Sequence, residues 1–430
     1  MKNTLTDHLK SEFQLLDNSI LNDIKQKAWD SFETLGFPTV KNEDFKYTNF
    51  IPAVKNNFKL QAKSQVTAAD LRAIEVVAED ANVLVFVNGV YNQSLSKIIT
   101  PATQATILPL ADALNSESES KNIAQHFAKY TNNQGDGFTA LSTALAKNGV
   151  YIHVPKSKII EEPIVLYFIS DSRSEDVFAQ PRNLFVFEKN CQAIVVESFS
   201  SFGNNASFTN IVTEVAVEND AIIDYYKIQN EGEKAYHVGT TQVNQKGKSV
   251  FNAVTVSLDG AIVRNNLNIV LDDEHVESNL YGLFMPSGNT LIDNHTIVDH
   301  AKPNCNSNEL YKGILDGKST AVFNGKIFVR KDAQKTNAFQ SNKTILLSDE
   351  ATINTKPQLE IFADDVKCSH GATSGQLDAE SLFYLRSRGL SEKSAKALLV
   401  YAFASEVLSN IKIESLKALL EKVIENKLAV

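Results

Sequence analysis

Cys368 and His370 stand two residues apart in Val366-Lys367-Cys368-Ser369-His370-Gly371, just after the apolar run Leu359-Glu360-Ile361-Phe362. In an extended strand, side chains i and i+2 share a face, so thiol and imidazole are expected to point the same way. A face carrying sulfur and nitrogen donors suits a soft or borderline metal such as iron or zinc. Two donors do not complete a metal site. The remaining ligands must come from elsewhere in the fold or from another chain. The competing reading is a buried structural cysteine beside a hydrogen-bonded histidine, because thiol reactivity depends on pKa and exposure, which spacing does not reveal.

A second concentration of donors lies in Asp293-Asn294-His295-Thr296-Ile297-Val298-Asp299-His300-Ala301-Lys302-Pro303-Asn304-Cys305. The five-residue step from His295 to His300 fits neither one helix face nor one strand face, so only a turn could bring them together. Hydrogen-bonded structural roles are expected for these residues. There is no Gly-x4-Gly-Lys-Ser/Thr loop, no strand-linked Gly-x-Gly-x-x-Gly, no Gly-x-Ser-x-Gly elbow and no Cys-x-x-Cys pair. The chain therefore carries no sign of ATP hydrolysis of its own.

The elements that must position these residues change in texture along the chain. Ile20, Ile24, Ala28, Phe32 and Leu35 repeat at helical spacing and stop at Gly36-Phe37-Pro38. Leu84–Tyr91 reads as a hairpin about Asn88-Gly89. Helices are expected over 122–130 and from the cap Asp136 to Lys147. From about Tyr151 to about Cys368, short strands rich in Val, Ile, Phe and Tyr alternate with Asn, Gly, Asp and Ser turns, with almost no helical period between them. This excludes a doubly wound α/β sheet.

An apparent repeat places Asn306, Asn324 and Asn342 18 residues apart, with Ile292, Leu310, Phe328 and Leu346 apolar at the same interval. Stacked coils of a β-solenoid would produce such a period. Two amphipathic helices then follow. One is capped by Ser391 and carries the stripe Ala395, Leu398, Leu399, Ala402, Phe403 and Val407. The other carries Leu416, Leu419, Leu420, Val423, Ile424 and Leu428. The expected organisation is a mostly helical region with a short hairpin over 1–150, a β core over 151–375 and a helical domain over 376–430.

Composition narrows the function. Lysine plus arginine number 42 against 51 acidic residues, a net charge of −9. That argues against nucleic acid as a partner, since phosphate binding draws on clustered positive charge. The start of the chain lacks a basic segment leading into an apolar one, and no apolar run is long enough to span a bilayer. The three cysteines, Cys191, Cys305 and Cys368, are odd in number and widely separated, which fits reduced thiols in a cytoplasmic compartment.

The residues that bear this chemistry also carry a resemblance. Lys335–Lys343, Leu346-Leu347-Ser348 and Pro357–Thr373 closely resemble the SufD branch of the SufB/SufD family, the scaffold subunits of the Suf iron–sulfur cluster assembly machinery. His300–Cys305, Glu309–Leu315 and the N-terminal Glu43-Asp44-Phe45-Lys46-Tyr47-Thr48 add to it, with Phe45 where the family usually has Trp. The resemblance spans nearly the whole chain and is most specific in the C-terminal part of the β core. It implies a right-handed parallel β-helix flanked by helical regions, pairing with SufB through the β-helices, and docking of the ATPase SufC on the C-terminal helices. Asn342 stands where SufB carries a cysteine, and Gly371 where SufB has a glutamate after the histidine, so the resemblance is to SufD. It also implies that His370, with Cys368 beside it, binds a transient iron–sulfur cluster shared with SufB. It further implies a non-catalytic scaffold that draws its ATP chemistry from SufC. A flavin in the complex and a homodimer of the isolated chain stay open. Rival expectations are a β-helix enzyme acting on polysaccharide, which would need a groove of acids or bases, and a purely structural interaction protein.

Overall fold

The structure is a computed structural model that describes residues 4–15, 20–60 and 62–428. Strand (40%) outweighs helix (25%), and the core is a β-solenoid of about eight turns. From Ser207–Val217 onward, successive strands go alternately to two sheets, and each pairs in parallel with the strand two places before it. A parallel pair needs a long crossover, and here the crossover is the intervening strand of the opposite sheet. Tyr236 pairs with Ile262 and Tyr151 with Leu184, so a coil takes between 26 and 33 residues.

Inward side chains from both sheets, among them Phe185, Val195, Ile211, Ile223, Phe251, Leu280 and Phe323, meet in one apolar cluster. Burying each large apolar side chain contributes roughly 1.5–3 kcal/mol. One corner of the coil repeats: Asn190, Asp220, Lys248, His275, Asn304 and Lys335 all take the left-handed conformation. Backbone amides climb the stack at this corner, Asn190 N–H to Asn219 O and Asp220 N–H to Gly247 O. A buried small or β-branched residue follows each turn: Cys191, Ala221, Ser249, Val276, Cys305 and Thr336. The 18-residue period is not the coil. Asn306, Asn324 and Asn342 fall on three successive strands that alternate between sheets, and they pair with Asn337, Lys356 and Tyr311 rather than with one another. An asparagine ladder does run through Asn252, Asn279 and Asn308, with amide hydrogen bonds of 3.0 and 3.1 Å.

The outer face of one sheet is covered by the N-terminal elements, where Trp29, Phe32, Phe50, Phe58 and Phe138 pack on Phe178 and Phe208. The helix Asn22–Leu35 ends at Gly36 in the left-handed region, as Gly-Phe-Pro predicts. Its buried face is Leu21, Ala28, Trp29 and Phe32, while Ile20 and Leu35 are exposed. The hairpin is present, Asn82–Val87 with Val90–Tyr91. Asp136 caps the helix Gly137–Ala144 through Phe138 N–H and Thr139 N–H. The helix expected over 122–130 instead runs Glu117–His126. Beyond it the buried Glu214 carboxylate accepts the amides of Ala128, Tyr130 and Thr131 at 2.7, 2.9 and 3.0 Å, which turns the chain out of helix.

The other sheet is covered by the C-terminal helices. There are three among the described residues rather than two: Ala379–Ser387, Glu392–Leu408 and Glu414–Leu428. Ser391 caps the second through Ser394 N–H. Its buried face is Ala395, Val400, Ala404, Val407 and Leu408, while Leu398 and Ala402 of the expected stripe are exposed.

Candidate functional site at the open end of the solenoid

Cys368 and His370 lie on Val366–Gly375, the last strand of its sheet. It pairs with Thr336–Leu346, placing Cys368 beside Ala338 and His370 beside Gln340. The edge beyond has no partner strand among the described residues, and the same holds for the last strand of the facing sheet, Thr352–Ile361. Unpaired strand edges are where another chain can add.

Alternation puts both donors on the solenoid's inner side, as their spacing requires. Cys368 packs against the small cluster of Ile327, Val329, Ala333, Ala338 and Ala363. It is half-buried, and that burial pushes its thiol pKa up. The thiol therefore keeps its proton at neutral pH. His370 is exposed at the rim.

Beneath His370 the interior is polar, as it also is further down the stack, where Asn183, Thr213 and Tyr225 donate to the buried Glu197. The register column of His370 descends through Gln340 to Glu309, and Gln340 Nε2 donates to Glu309 Oε2 at 2.7 Å. Burial raises the Glu309 carboxyl to about 7, against hydrogen bonds from Thr296 and Gln340. Gly325 on the facing sheet makes room for this: a Cβ there would lie 2.1 Å from Gln340 Nε2. Oxygens of Gln340, Asn342 and Thr344 point into this last coil without hydrogen-bond partners. That Gln340 and Glu309 stack under His370 is legible only from the strand register.

The second concentration of donors is dispersed. His295 sits on the outer face, its Nε2 3.0 Å from Asp293 Oδ1. Burial pushes the Asp293 carboxyl up, but Arg264, His295 and Thr48 outweigh it and hold it at about 2. Arg264 bonds Asp293 at 2.6 Å and the Asp44 carbonyl at 2.6 Å. This hub therefore fastens the segment Glu43–Thr48 to the solenoid. His300 points inward, 2.9 Å from Ser307 Oγ, and burial lowers it to about 4. Cys305 is buried at the coil corner, its thiol donating to the Asp273 carbonyl at 3.1 Å. Among the described residues, no group of three or more His, Cys, Asp or Glu could hold a metal ion. No helix among them is long and apolar enough to cross a membrane.

Comparison with known proteins gives the family. The SufBD core domain family of the SUF system for FeS cluster assembly matches residues 168–403, and the SufBD protein N-terminal region matches 3–166. The chain belongs to the SufBD family. An iron–sulfur cluster assembly SufBD family protein of Synechocystis is 32% identical over 421 residues, covering 94% of this chain and 91% of that protein. The iron–sulfur cluster assembly protein SufD of Escherichia coli is 31% identical over 384 residues, covering 89% and 87%. SufD of Bacillus subtilis is 26% identical over 428 residues, covering 95% and 94%. The chain is thus a SufD-like member of the SUF iron–sulfur cluster assembly system.

Proposed function

We propose that this SufBD-family chain is a non-catalytic, cytoplasmic scaffold subunit on which a nascent iron–sulfur cluster is built at the open end of the solenoid. The observation that carries the reading is the position of His370 and Cys368 on a terminal strand whose free edge can receive a homologous solenoid. His370 supplies a neutral imidazole and Cys368 an auxiliary thiolate, and a SufB partner completes the ligand set. The cluster is cargo, held while it forms and then passed on. The exposed aromatic side chains around this end, Phe339 and Phe362, suit burial in such a pairing. With no SufB present, the same edges support a homodimer.

SufC, the ATPase, docks on the C-terminal helices. Supporting this, Phe383, Tyr384, Leu390 and Leu398 form an exposed apolar surface on the outer side of Ala379–Ser387 and Glu392–Leu408. Apolar surface of this kind marks an interaction site. ATP binding by SufC acts through its differential affinity for two arrangements of these helices. No residue of this chain is assigned to flavin. The three regions 1–150, 151–375 and 376–430 then serve as cover, cluster platform and docking domain.

In cells depending on this chain, His370→Ala is expected to abolish maturation of iron–sulfur enzymes while leaving SufC copurification intact. Normal activity of those enzymes in the mutant would remove His370 from the ligand set.

A further inference from the structure

Lys312 is a solenoid residue buried at 3% exposure, under the C-terminal helices. It lies on the strand Asn306–Leu315 and points outward. Its ammonium donates to the Phe403 carbonyl at 2.8 Å, pairs with the Glu406 carboxylate, and sits 4.3 Å from the centroid of the Phe403 ring. A buried ammonium needs such partners to offset lost hydration, and an aromatic face adds to them. Among the described residues, no other side-chain hydrogen bond joins the helix Glu392–Leu408 to the solenoid. The last helix and the connector before it are fastened separately and further down the stack, through Lys427 to the Leu258 carbonyl at 2.5 Å and Lys412 to Asp224 at 2.7 Å.

The terminal strand runs straight into these helices. Val366–Gly375 connects through Gln376, Leu377 and Asp378 to Ala379–Ser387, a helix with no buried residue. That connection is not packed solid. An open cavity of about 800 Å³ separates it from the helices, lined by Ile314, Leu347, Leu377, Leu382 and Val400. The strand bearing the donors is therefore tied covalently to helices that pack on the solenoid through Val400, Ala404 and Val407 beside this cavity, and that Lys312 pins in place through polar contacts.

We propose that Lys312 is a positioning residue for the terminal strand: by holding Glu392–Leu408 against the solenoid it sets where Val366–Gly375, and with it His370, lies. This rests on the reading that the terminal strand is the working end of the chain. A displacement of the helices that breaks the Lys312 contacts is passed to the strand through residues 376–378, and it bypasses the intervening strand Thr336–Leu346.

Hydrogen exchange by mass spectrometry on the full chain alone tests this, independently of whether SufB or SufC binds. In Lys312→Met, amide exchange is expected to rise about tenfold, a coupling of ordinary size, over both 392–408 and 366–375, with 306–315 unchanged. Glu406→Gln removes the carboxylate from the exposed side and should give the same pattern more weakly, which keeps the test open if Lys312→Met does not fold. Adding a short Gly-Ser linker after Gly375 to Lys312→Met should keep the rise in the helix and lose it in the strand. A rise confined to 392–408, or a strand response that survives the linker, would overturn the proposal.

Discussion

Gln340 donates its side-chain amide to Glu309 at 2.7 Å, one register step below His370. The pair forms a polar stretch of the solenoid interior beneath the open end, separate from the polar cluster that Asn183, Thr213, Tyr225 and Lys227 form about Glu197 further down the stack. Glu309 has no cation among the groups that shift it, so its proton is what lets it stay buried.

Stability should therefore fall with pH. The Glu309 carboxyl titrates near 7 when folded against 4.5 when free, so the folded chain holds the proton longer than the unfolded one. The stability this contributes is complete below about 4.5 and is lost as pH rises through about 7, amounting to about 3 kcal/mol. Urea denaturation at pH 5 and pH 8 should show wild type losing stability between the two. Glu309→Gln should show a flatter profile and greater stability than wild type at pH 8. An unchanged pH slope in the mutant would place the titration elsewhere.

Arg182 and Glu214 are both fully buried and bonded at 2.5 Å, and the Glu214 carboxylate also gathers three backbone amides of 128–131. Glu214→Ala strands the guanidinium and frees that turn. A loss of about 3–5 kcal/mol is expected by chemical denaturation, with new protease sensitivity near Ala128. A loss under 1 kcal/mol would mean that solvent reaches Arg182.

Gly282 lies against the Tyr311 ring, and a Cβ there would approach within 2.2 Å of two ring atoms. Tyr311 is held inside the stack, so the ring has little room to yield. Gly282→Ala is expected to destabilise by about 1–3 kcal/mol through overpacking, read as a drop in melting temperature. No change would show that the ring can move aside.

Much of this architecture is legible in the residues. Strands without intervening helical period give the solenoid, Gly36-Phe37-Pro38 gives the helix stop, and the step from Cys368 to His370 gives the shared face. The coil length is not, because a coil here is two strands plus two corners, and corner lengths vary by several residues. An ungapped interval of 18 compares strands of opposite sheets. The informative repeat was a left-handed corner residue followed by a buried small or β-branched one, as in Asn190-Cys191, Asp220-Ala221 and Asn304-Cys305. It is not legible in the residues because Lys248, His275 and Lys335 occupy the same corner without the usual Asn or Asp preference. The depth of Glu309 and Lys312 was also hidden. A charged side chain reads as surface until the strand register and the covering helices are known.

Thiol chemistry separates the three cysteines. Cys191 and Cys305 are buried, and burial pushes the Cys191 thiol up to about 12. Cys368 is half-buried with a raised pKa. Under native conditions a disulfide reagent should label one thiol per chain, more slowly than a free cysteine, and all three after denaturation. Labelling that persists in Cys368→Ser would mean that another corner opens.

The central claim, that the terminal strand holds cargo iron through His370, is tested most directly by iron and acid-labile sulfide analysis. The chain would be coexpressed anaerobically with SufB and SufC, and the complex purified without air. Wild type is expected to retain iron and sulfide, His370→Ala to lose both while the complex stays assembled, and Cys368→Ala to lose less. Full iron and sulfide in the His370→Ala complex would contradict the account.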